Sequence, residues 1–242
     1  MDTSTSSTTS PTPLALVTGA SRGLGRALTA GLVRAGWRVI VDARDAGRLA
    51  ASVADITGAN NVVVVSGDVA DPRHRLDLAA AVAEAGGLDL LVNNASVLGP
   101  SPQPLLADYP LPTFEQVYAV NTIAPLALFQ LMLPHLRPGA CVVNVSSDAA
   151  VEAYEGWGGY GSSKAALDQV TAILGAENSA LRVYAFDPGD MNTDLHQQAF
   201  PGEDISDRAA PESVVPSLLR LITGDLPSGR YRVNDVKLEA PR

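Results

Sequence analysis

The amino-acid sequence predicts a single-domain α/β protein with a doubly wound β-sheet, mostly or wholly parallel, and helices on both faces. Short apolar runs alternate with longer stretches of helical periodicity along most of the chain. The runs are continuous in Val, Ile and Leu instead of alternating with polar residues, which is typical of parallel strands buried on both faces. The links are short, and no linker or internal repeat divides the chain, so we predict one domain.

The individual elements follow from this alternation. Apolar runs predict strands at residues 14–18, 38–42, 62–65, 88–92, 141–145 and 182–186. Helical periodicity predicts helices at residues 25–35, 46–57, 74–84, 113–136 and 160–176, with Pro125 kinking the longest of them. The polar segment 190–210 follows the end of a strand, where ligands bind in such sheets. This segment is either a flap that covers a substrate or a plain surface loop, and we favour the flap.

Composition and charge exclude several classes of function. The formal net charge of −9 repels phosphate backbones, so we expect no nucleic-acid partner. Residues 1–13 are rich in Ser, Thr and Pro and predict a disordered tail ahead of a domain at 14–242. No apolar run approaches the ~18 residues of a membrane span, so we expect no membrane association and a cytoplasmic protein. The histidines and the single cysteine have no metal-ligand spacing, and we predict no metal site.

A glycine-rich turn links the first predicted strand to the first helix. It is Thr18-Gly19-Ala20-Ser21-Arg22-Gly23-Leu24-Gly25. Glycines permit a tight turn and let the backbone approach a pyrophosphate, while the N–H groups of the helix start face the anion. The alternative is an ordinary βα turn. A strand before and a helix after are the context that a nucleotide-binding turn requires, so we predict a dinucleotide cofactor.

The TGxxxGxG spacing of this turn resembles the short-chain dehydrogenase/reductase family. Further motifs follow in the family's order and extend the resemblance over residues 14–194. They are Asn93-Asn94-Ala95, Asn121, Ser146-Ser147, Tyr160-Gly161-Ser162-Ser163-Lys164, Pro188-Gly189 and Thr193. A lone YxxxK motif is common by chance, whereas the full set is specific. The resemblance implies a Rossmann-type fold, a nicotinamide cofactor and hydride transfer at a carbonyl or alcohol carbon.

Tyr160 and Lys164 are the central catalytic candidates. They are four residues apart in a predicted helix and therefore share one face. A carbonyl reduction needs a group that protonates the oxygen, and a nearby ammonium should lower the tyrosine pKa from its usual value near 10. The resemblance implies that Lys164 also binds the nicotinamide ribose. It further implies that Ser147, in preference to Ser146, orients the substrate oxygen.

Asn121 is the fourth catalytic candidate. The resemblance implies that it holds a water molecule linking Lys164 to solvent. The alternative is a polar side chain that bonds the backbone near Pro125.

The end of the second strand predicts which nicotinamide cofactor is used. An acid at the adenosine ribose favours NAD, while arginine favours the 2′-phosphate of NADP. In register with the family, the acid of NAD-preferring members falls at Ala43, and Arg44 and Arg22 are basic residues of the NADP type. Asp42 lies one residue earlier and should face the other way. We predict NADP(H) in preference to NAD(H), although a register error of one residue would reverse this.

The resemblance implies a set of cofactor contacts along the carboxyl ends of the strands. They are Gly19, Ser21, Arg22, Gly23, Leu24, Arg44, Asp68, Val69, Asn94, Ala95, Tyr160, Lys164, Pro188, Gly189, Met191 and Thr193. The alternative for Asp68 is a cap on the following helix. The sequence departs from the family at Ser96, where glycine is usual. Tyr154 and Trp157 either face a bulky substrate or pack under the flap, and His196 lines the pocket or lies on the surface.

These observations favour an NADP-dependent oxidoreductase that reduces a ketone or aldehyde to an alcohol, or the reverse, with Tyr160 as the acid/base. One alternative is a redox-neutral epimerase that uses a bound nicotinamide cofactor. Another is a non-catalytic NADP(H)-sensing protein, which would not need the acid/base set. The resemblance implies a homodimer or homotetramer built on the helices at 113–136 and 160–176. Substrate, direction and stereochemistry cannot be determined from the sequence.

Overall fold

The computed structural model describes residues 12–236 and contains one parallel β-sheet. Its strands are β1 (Leu14–Val17), β2 (Arg38–Val41), β3 (Val62–Val64), β4 (Leu88–Asn93), β5 (Leu136–Val145), β6 (Arg182–Asp187) and β7 (Gly229–Arg232). They hydrogen-bond in the order β3-β2-β1-β4-β5-β6-β7, and every neighbouring pair is parallel. Most of the tail predicted at 1–13 lies outside the described residues.

Helices cover both faces of the sheet. They are α1 (Gly23–Arg34), α2 (Ala46–Ala54), α3 (Pro72–Glu84), α4 (Leu111–Tyr118), α5 (Ala124–Met132), α6 (Gly158–Glu177), α7 (Asp194–Ala199) and α8 (Pro211–Thr223). One apolar core joins the sheet to α1, α2 and α8, and a second joins it to α3, α5 and α6. Burial on both faces explains why the central strands are continuous apolar runs. The predicted doubly wound fold is therefore confirmed.

The strand order fixes the position of the functional site. From β1 the chain winds outward to β3 and then returns to β4 on the other side of β1. The loops after β1 and β4 therefore diverge at the carboxyl edge of the sheet and leave a crevice. Open α/β sheets bind ligands at such a switch point.

The longest predicted helix differs from the observed one. Helix was predicted at 113–136, but it begins at Leu111, and Leu136 already belongs to β5. The residues Ala119–Ile123 between α4 and α5 are wound as a π-helix. Pro125 follows in the first turn of α5, where the α-helical hydrogen-bond pattern is already interrupted, so it does not break the helix.

The stretch Leu111–His135 is long and apolar enough, by length and composition, to cross a membrane. The sequence analysis did not identify it as such a stretch. Val120, Leu128, Phe129 and Met132 of this stretch are buried in the core shared with the sheet, whereas Leu111, Ile123 and Leu133 are exposed. The buried side chains pack as those of a core helix do.

Candidate active site

The glycine turn is held open toward the crevice by its neighbours. Gly19 has a φ of 67°, in the left-handed region, and a Cβ there would lie 2.8 Å from the Cα of Ala95. Asn94 Nδ2 donates to the carbonyls of Thr18 at 2.8 Å and Gly19 at 3.2 Å. The turn therefore requires glycine at this position, and Asn94 braces it against the end of β4. The start of α1 at Gly23 leaves its backbone N–H groups available to an anion.

Asp42 braces the same turn from below. Its carboxylate accepts hydrogen bonds from Gly19 N at 2.9 Å and pairs with His74 Nε2 at 3.0 Å, and both side chains are buried. Burial raises the pKa of Asp42, while the hydrogen bonds of His74 and Gly19 oppose the increase. The carboxylate is thus committed to the turn and to His74. His74, which had no assigned role in the sequence analysis, is a structural partner of this acid.

Arginines line the crevice beside the glycine turn and the start of α2. Arg22 Nη1 donates to the carboxylate of Asp194, and Arg48 Nη2 donates to the same oxygen at 3.0 Å. Arg44 lines the crevice beside them. The hydrogen bond of Arg22, aided by Arg48, lowers the pKa of Asp194. Two guanidinium groups that converge on one carboxylate oxygen form an anion site. Sequence reasoning missed Arg48, although its place in the first turn of the predicted helix, four residues after Arg44, is a usable signal.

A single cleft of about 410 Å³ collects the predicted cofactor contacts. It is lined by every one of them: Gly19, Ser21, Arg22, Gly23, Leu24, Arg44, Asp68, Val69, Asn94, Ala95, Tyr160, Lys164, Pro188, Gly189, Met191 and Thr193. Asp68 accepts a hydrogen bond from Ala70 N at 2.8 Å, while the cap of α3 is Asp71. The alternative role of Asp68 as the helix cap is therefore wrong. Ser147 also lines the cleft, whereas Asn121 does not.

The residues of this cleft fit a nicotinamide dinucleotide. A Cβ on Gly25 would lie 2.5 Å from the Gly19 carbonyl oxygen, so only glycine permits this close turn. Arginines supply the cationic donors that phosphates prefer, and they line the same cleft as Tyr160 and Lys164. Among residues 12–236, no cluster of three metal-ligating side chains is present.

Lys164 is buried beside Tyr160 on α6. Its Nζ donates to the Val145 carbonyl at 2.7 Å and lies 5.6 Å from the centroid of the tyrosine ring. Burial lowers the pKa of Lys164 to about 8, against the opposing charge of Asp168. The last residues of β5 thus hold the ammonium close to the tyrosine.

Burial raises the pKa of Tyr160 to about 12, and hydrogen bonds from Ser147 and Ser96 partly oppose the increase. The expectation that the lysine lowers this pKa below its usual value is therefore wrong for the protein by itself. Desolvation of a side chain only 6% exposed outweighs the favourable contacts, and the ammonium points to Val145 instead. The phenol is accordingly protonated at neutral pH, as a general acid must be.

Ser147 meets Tyr160 across the cleft. Its Oγ donates to Asp148 Oδ1 at 2.9 Å and accepts from Ala149 N at 3.2 Å, which fixes its position. The hydroxyl of Ser146 is buried and has no hydrogen-bond partner among the described residues. Of the two serines, only Ser147 is a hydrogen-bond partner of the tyrosine hydroxyl.

Asn121 lies in the π-helical segment and is fully buried. Its Oδ1 accepts from Val97 N at 2.9 Å, and its Nδ2 donates to Val97 O at 2.9 Å and to Ser163 Oγ at 3.0 Å. The amide therefore joins the loop after β4 to α6. It bonds backbone, as the alternative proposed, but the backbone of Val97 and not that near Pro125.

Ser96 is a site residue whose role sequence reasoning missed. Its Oγ donates to Asn121 Oδ1 at 3.1 Å and also hydrogen-bonds the Tyr160 hydroxyl. It was noted only as a departure from the family's glycine. A serine in place of the usual glycine was the available signal of a role for Ser96. The role itself, a hydrogen bond to Tyr160, depends on the fold, which brings the two residues together.

Arg230 was also missed, because the sequence analysis did not predict β7. Its guanidinium donates to Asp168 Oδ2 at 2.9 Å, to Asp187 Oδ2 at 3.0 Å and to the Ser147 carbonyl at 2.9 Å. Burial lowers the pKa of Arg230, but the hydrogen bonds to the two acids outweigh it and raise the pKa. One cation thus neutralises two carboxylates beneath the site and holds the backbone of Ser147.

The segment 190–210 lies along the open side of the cleft. It includes α7, which is capped by the Thr193 hydroxyl, and His196 is buried in the cleft wall. Trp157 lines the cleft and packs against Phe200 of this segment, with ring centroids 5.9 Å apart. Trp157 therefore lines the cleft and also packs against the flap segment. Tyr154 is exposed and donates to Asp148 Oδ2 at 3.0 Å.

The sequence and structure were compared with known proteins. Residues 13–204 match the family model described as short chain dehydrogenase. The chain is 33% identical to a short chain dehydrogenase of Penicillium thymicola, over 90% of this chain and 86% of the relative. It is 34% identical to the sepiapterin reductase of Mus musculus, over 76% of each chain.

A solved structure resembles the whole described fold. It is a short chain dehydrogenase from Shigella flexneri 2a strain 301 complexed with NADP, with a TM-score of 0.85 and 26% identity. The match covers 92% of this chain and 97% of the other.

Proposed function

Because the chain belongs to the short-chain dehydrogenase family, we propose that it is an NADP(H)-dependent oxidoreductase that interconverts a ketone or aldehyde and its alcohol. The observation that carries the proposal is that one cleft is lined both by Ser147, Tyr160 and Lys164 and by Arg22 and Arg44. Acid/base groups and phosphate-binding groups in one cleft are what this reaction requires.

The chain's own residues account for the proton chemistry. When bound, the reduced nicotinamide supplies the hydride to the carbonyl carbon. The hydroxyls of Ser147 and Tyr160 bind the carbonyl oxygen and stabilise the negative charge that develops on it. Tyr160, protonated because of its raised pKa, gives its proton to that oxygen, so the C=O bond becomes H–C–O–H. A proton from solvent then replaces the one that Tyr160 has transferred.

The cofactor preference rests on charge at the adenosine end. Arg22, Arg44 and Arg48 provide guanidinium groups for a 2′-phosphate, while Asp42 is turned to Gly19 and His74. The Shigella flexneri relative is complexed with NADP, which supports the same preference. We infer that NADP(H) is used in preference to NAD(H).

The enzyme is also proposed to be a homodimer or homotetramer. Leu111, Ile123 and Ile173 expose 71%, 57% and 45% of their surface on α4, in the π-helical segment and on α6. Pairing of these helices with a second copy would cover the exposed apolar side chains. Elution of the purified protein at the monomer volume would refute this part of the proposal.

The test combines purified protein, NADPH and a panel of ketones and aldehydes, with consumption of NADPH followed by absorbance. We expect turnover by the native protein and a loss of at least about a hundredfold in Tyr160→Phe, since a positioned general acid contributes 10²–10⁴. Ser162→Ala is the matched control, because this α6 hydroxyl bonds only the helix backbone. No turnover of any carbonyl, or full activity in Tyr160→Phe, contradicts the proposal.

A further inference from the structure

An aromatic wall adjoins the catalytic tyrosine. Trp157 packs edge-on against Tyr160, with ring centroids 5.9 Å apart, and contacts Phe200 at the same centroid distance. Phe200 in turn contacts His196 at 4.9 Å. The wall thus runs without interruption from the general acid on α6 to the end of α7.

Aliphatic side chains continue the wall on either side. Leu98 and Ala149 are buried with Tyr160 in one apolar cluster, and Leu195 and Ala199 of α7 pack against it. Trp157, Leu195 and Ala199 of this cluster also line the cleft. A substrate whose carbonyl oxygen lies at Ser147 and Tyr160 can therefore rest an apolar or aromatic group on this surface.

The charges at this end of the cleft disfavour an anionic substrate. Asp148 and Asp190 line it, and Lys164, the lysine in the lining, is turned to the Val145 carbonyl. Asp190 lies 3.9 Å from His196 Nδ1 and 3.6 Å from Arg208 Nε, so nearby basic groups already have an acidic partner. The carboxylates of Asp148 and Asp190 would repel a substrate carboxylate placed beside them.

We propose that the substrate is a neutral aryl ketone or aryl aldehyde whose ring lies against Trp157, which lines the cleft beside Tyr160. This assignment rests on the proposed function and adds the substrate class to it. Small aliphatic ketones would leave the wall uncovered, and keto acids would place a charge beside Asp148 and Asp190.

Three ketones test the assignment through kcat/KM with NADPH. Acetophenone carries the ring, 4-acetylbenzoate adds a carboxylate to it, and 2-butanone lacks the ring. We expect acetophenone to exceed each of the others at least about tenfold, the effect of one lost aromatic contact or one like-charge contact. A preference for butanone or for 4-acetylbenzoate overturns the substrate class, while leaving the proposed oxidoreductase function intact.

Substitutions in the aromatic wall test whether it causes the preference for the aryl ketone. Trp157→Leu should lower kcat/KM for acetophenone about tenfold, chiefly by raising KM, and change that for butanone by less than about twofold. Trp37→Phe is the control, because Trp37 packs on a core that does not include Trp157. Equal losses on both ketones would mean that the Trp157 ring only supports the fold, and would overturn the assignment. Asp190→Asn should narrow the penalty against 4-acetylbenzoate.

A binding measurement provides a readout independent of turnover. The chain has two tryptophans, so Trp37→Phe leaves Trp157 as the only one. Acetophenone should quench its fluorescence with saturation, and butanone should not. Absence of saturable quenching overturns the ring placement. If no carbonyl compound is reduced at all, the proposed function fails and the substrate class fails with it.

Discussion

Replacement of Arg230 by leucine tests whether one cation supports the catalytic site from below. The guanidinium joins Asp168 on α6, Asp187 at the end of β6 and the carbonyl of Ser147. The side chains of Arg230, Asp168 and Asp187 are only 24%, 15% and 4% exposed. Leucine retains part of the apolar volume but leaves both carboxylates without their main partner.

The expected loss of stability depends on which partners each carboxylate retains once Arg230 is replaced. Asp187 retains a hydrogen bond from Gly189 N at 3.0 Å and lies 3.7 Å from Arg232 Nε, so it stays partly compensated. The second oxygen of Asp168 has no hydrogen-bond partner among the described residues, so this carboxylate is left without compensation. Removing one partner of a buried ion pair costs about 3–5 kcal/mol, and we expect about 3–4 kcal/mol here.

Equilibrium unfolding in urea measures this loss as a lower midpoint with an unchanged slope. Arg230→Lys keeps the positive charge but loses the planar guanidinium, which can donate to several oxygens at once. We therefore expect it to lower the free energy of unfolding by about half as much as Arg230→Leu does. Arg26→Leu is the matched control, since Arg26 and Asp55 form an exposed pair 3.5 Å apart that is worth less than about 1 kcal/mol. A loss no larger than that of Arg26→Leu would refute the reasoning.

Three further predictions concern cofactor choice and proton transfer. Arg44→Ala should raise KM for NADPH at least about tenfold and leave KM for NADH nearly unchanged, because a charge-assisted contact to phosphate is worth about 1.5–3 kcal/mol. Equal changes in KM for both cofactors would contradict the assignment of Arg44 to the 2′-phosphate. Ser96→Gly removes one of the two hydroxyls that hydrogen-bond Tyr160, so the rate of alcohol oxidation near neutral pH should fall about tenfold. Ser162→Ala is the control and should leave this rate unchanged. An unchanged rate in Ser96→Gly would mean that Ser96 serves only to hold Asn121. In the pH profile, Tyr160 must be protonated for reduction and ionised for oxidation. Since burial raises its pKa to about 12, reduction should stay nearly constant from about pH 6 to 9 while oxidation rises throughout that range, and a maximum of oxidation near pH 7 would contradict this.

The sheet and the glycine turn could be predicted because their causes are local. Continuous apolar runs mark β1, β2 and β4, and Gly19 is required by a left-handed backbone whose spacing is visible in the sequence. The C-terminal elements lack such signals. β7 reads Gly-Arg-Tyr-Arg without an apolar run, and α8 contains Pro216, which argues against a helix interior.

The candidate site was predictable only where a motif carries it. Tyr160, Lys164 and Ser147 were predicted from family spacing, and the structure brings the three together. Ser96 and Arg230 could not be assigned, because their partners lie far along the chain. Arg230, for example, meets Asp168 and Asp187 across 62 and 43 residues. Contacts over such distances depend on strand order and register, which apolar patterns do not specify.

Transfer of an isotopic label tests the central claim most directly. The native protein would be supplied with a carbonyl compound and NADPH deuterated at the hydride-donating carbon, on the face that is transferred. The account predicts that the alcohol carries one deuterium on the carbinol carbon, and that Tyr160→Phe slows its formation at least about a hundredfold. An alcohol product without deuterium, whichever face carries the label, would contradict the proposed hydride transfer.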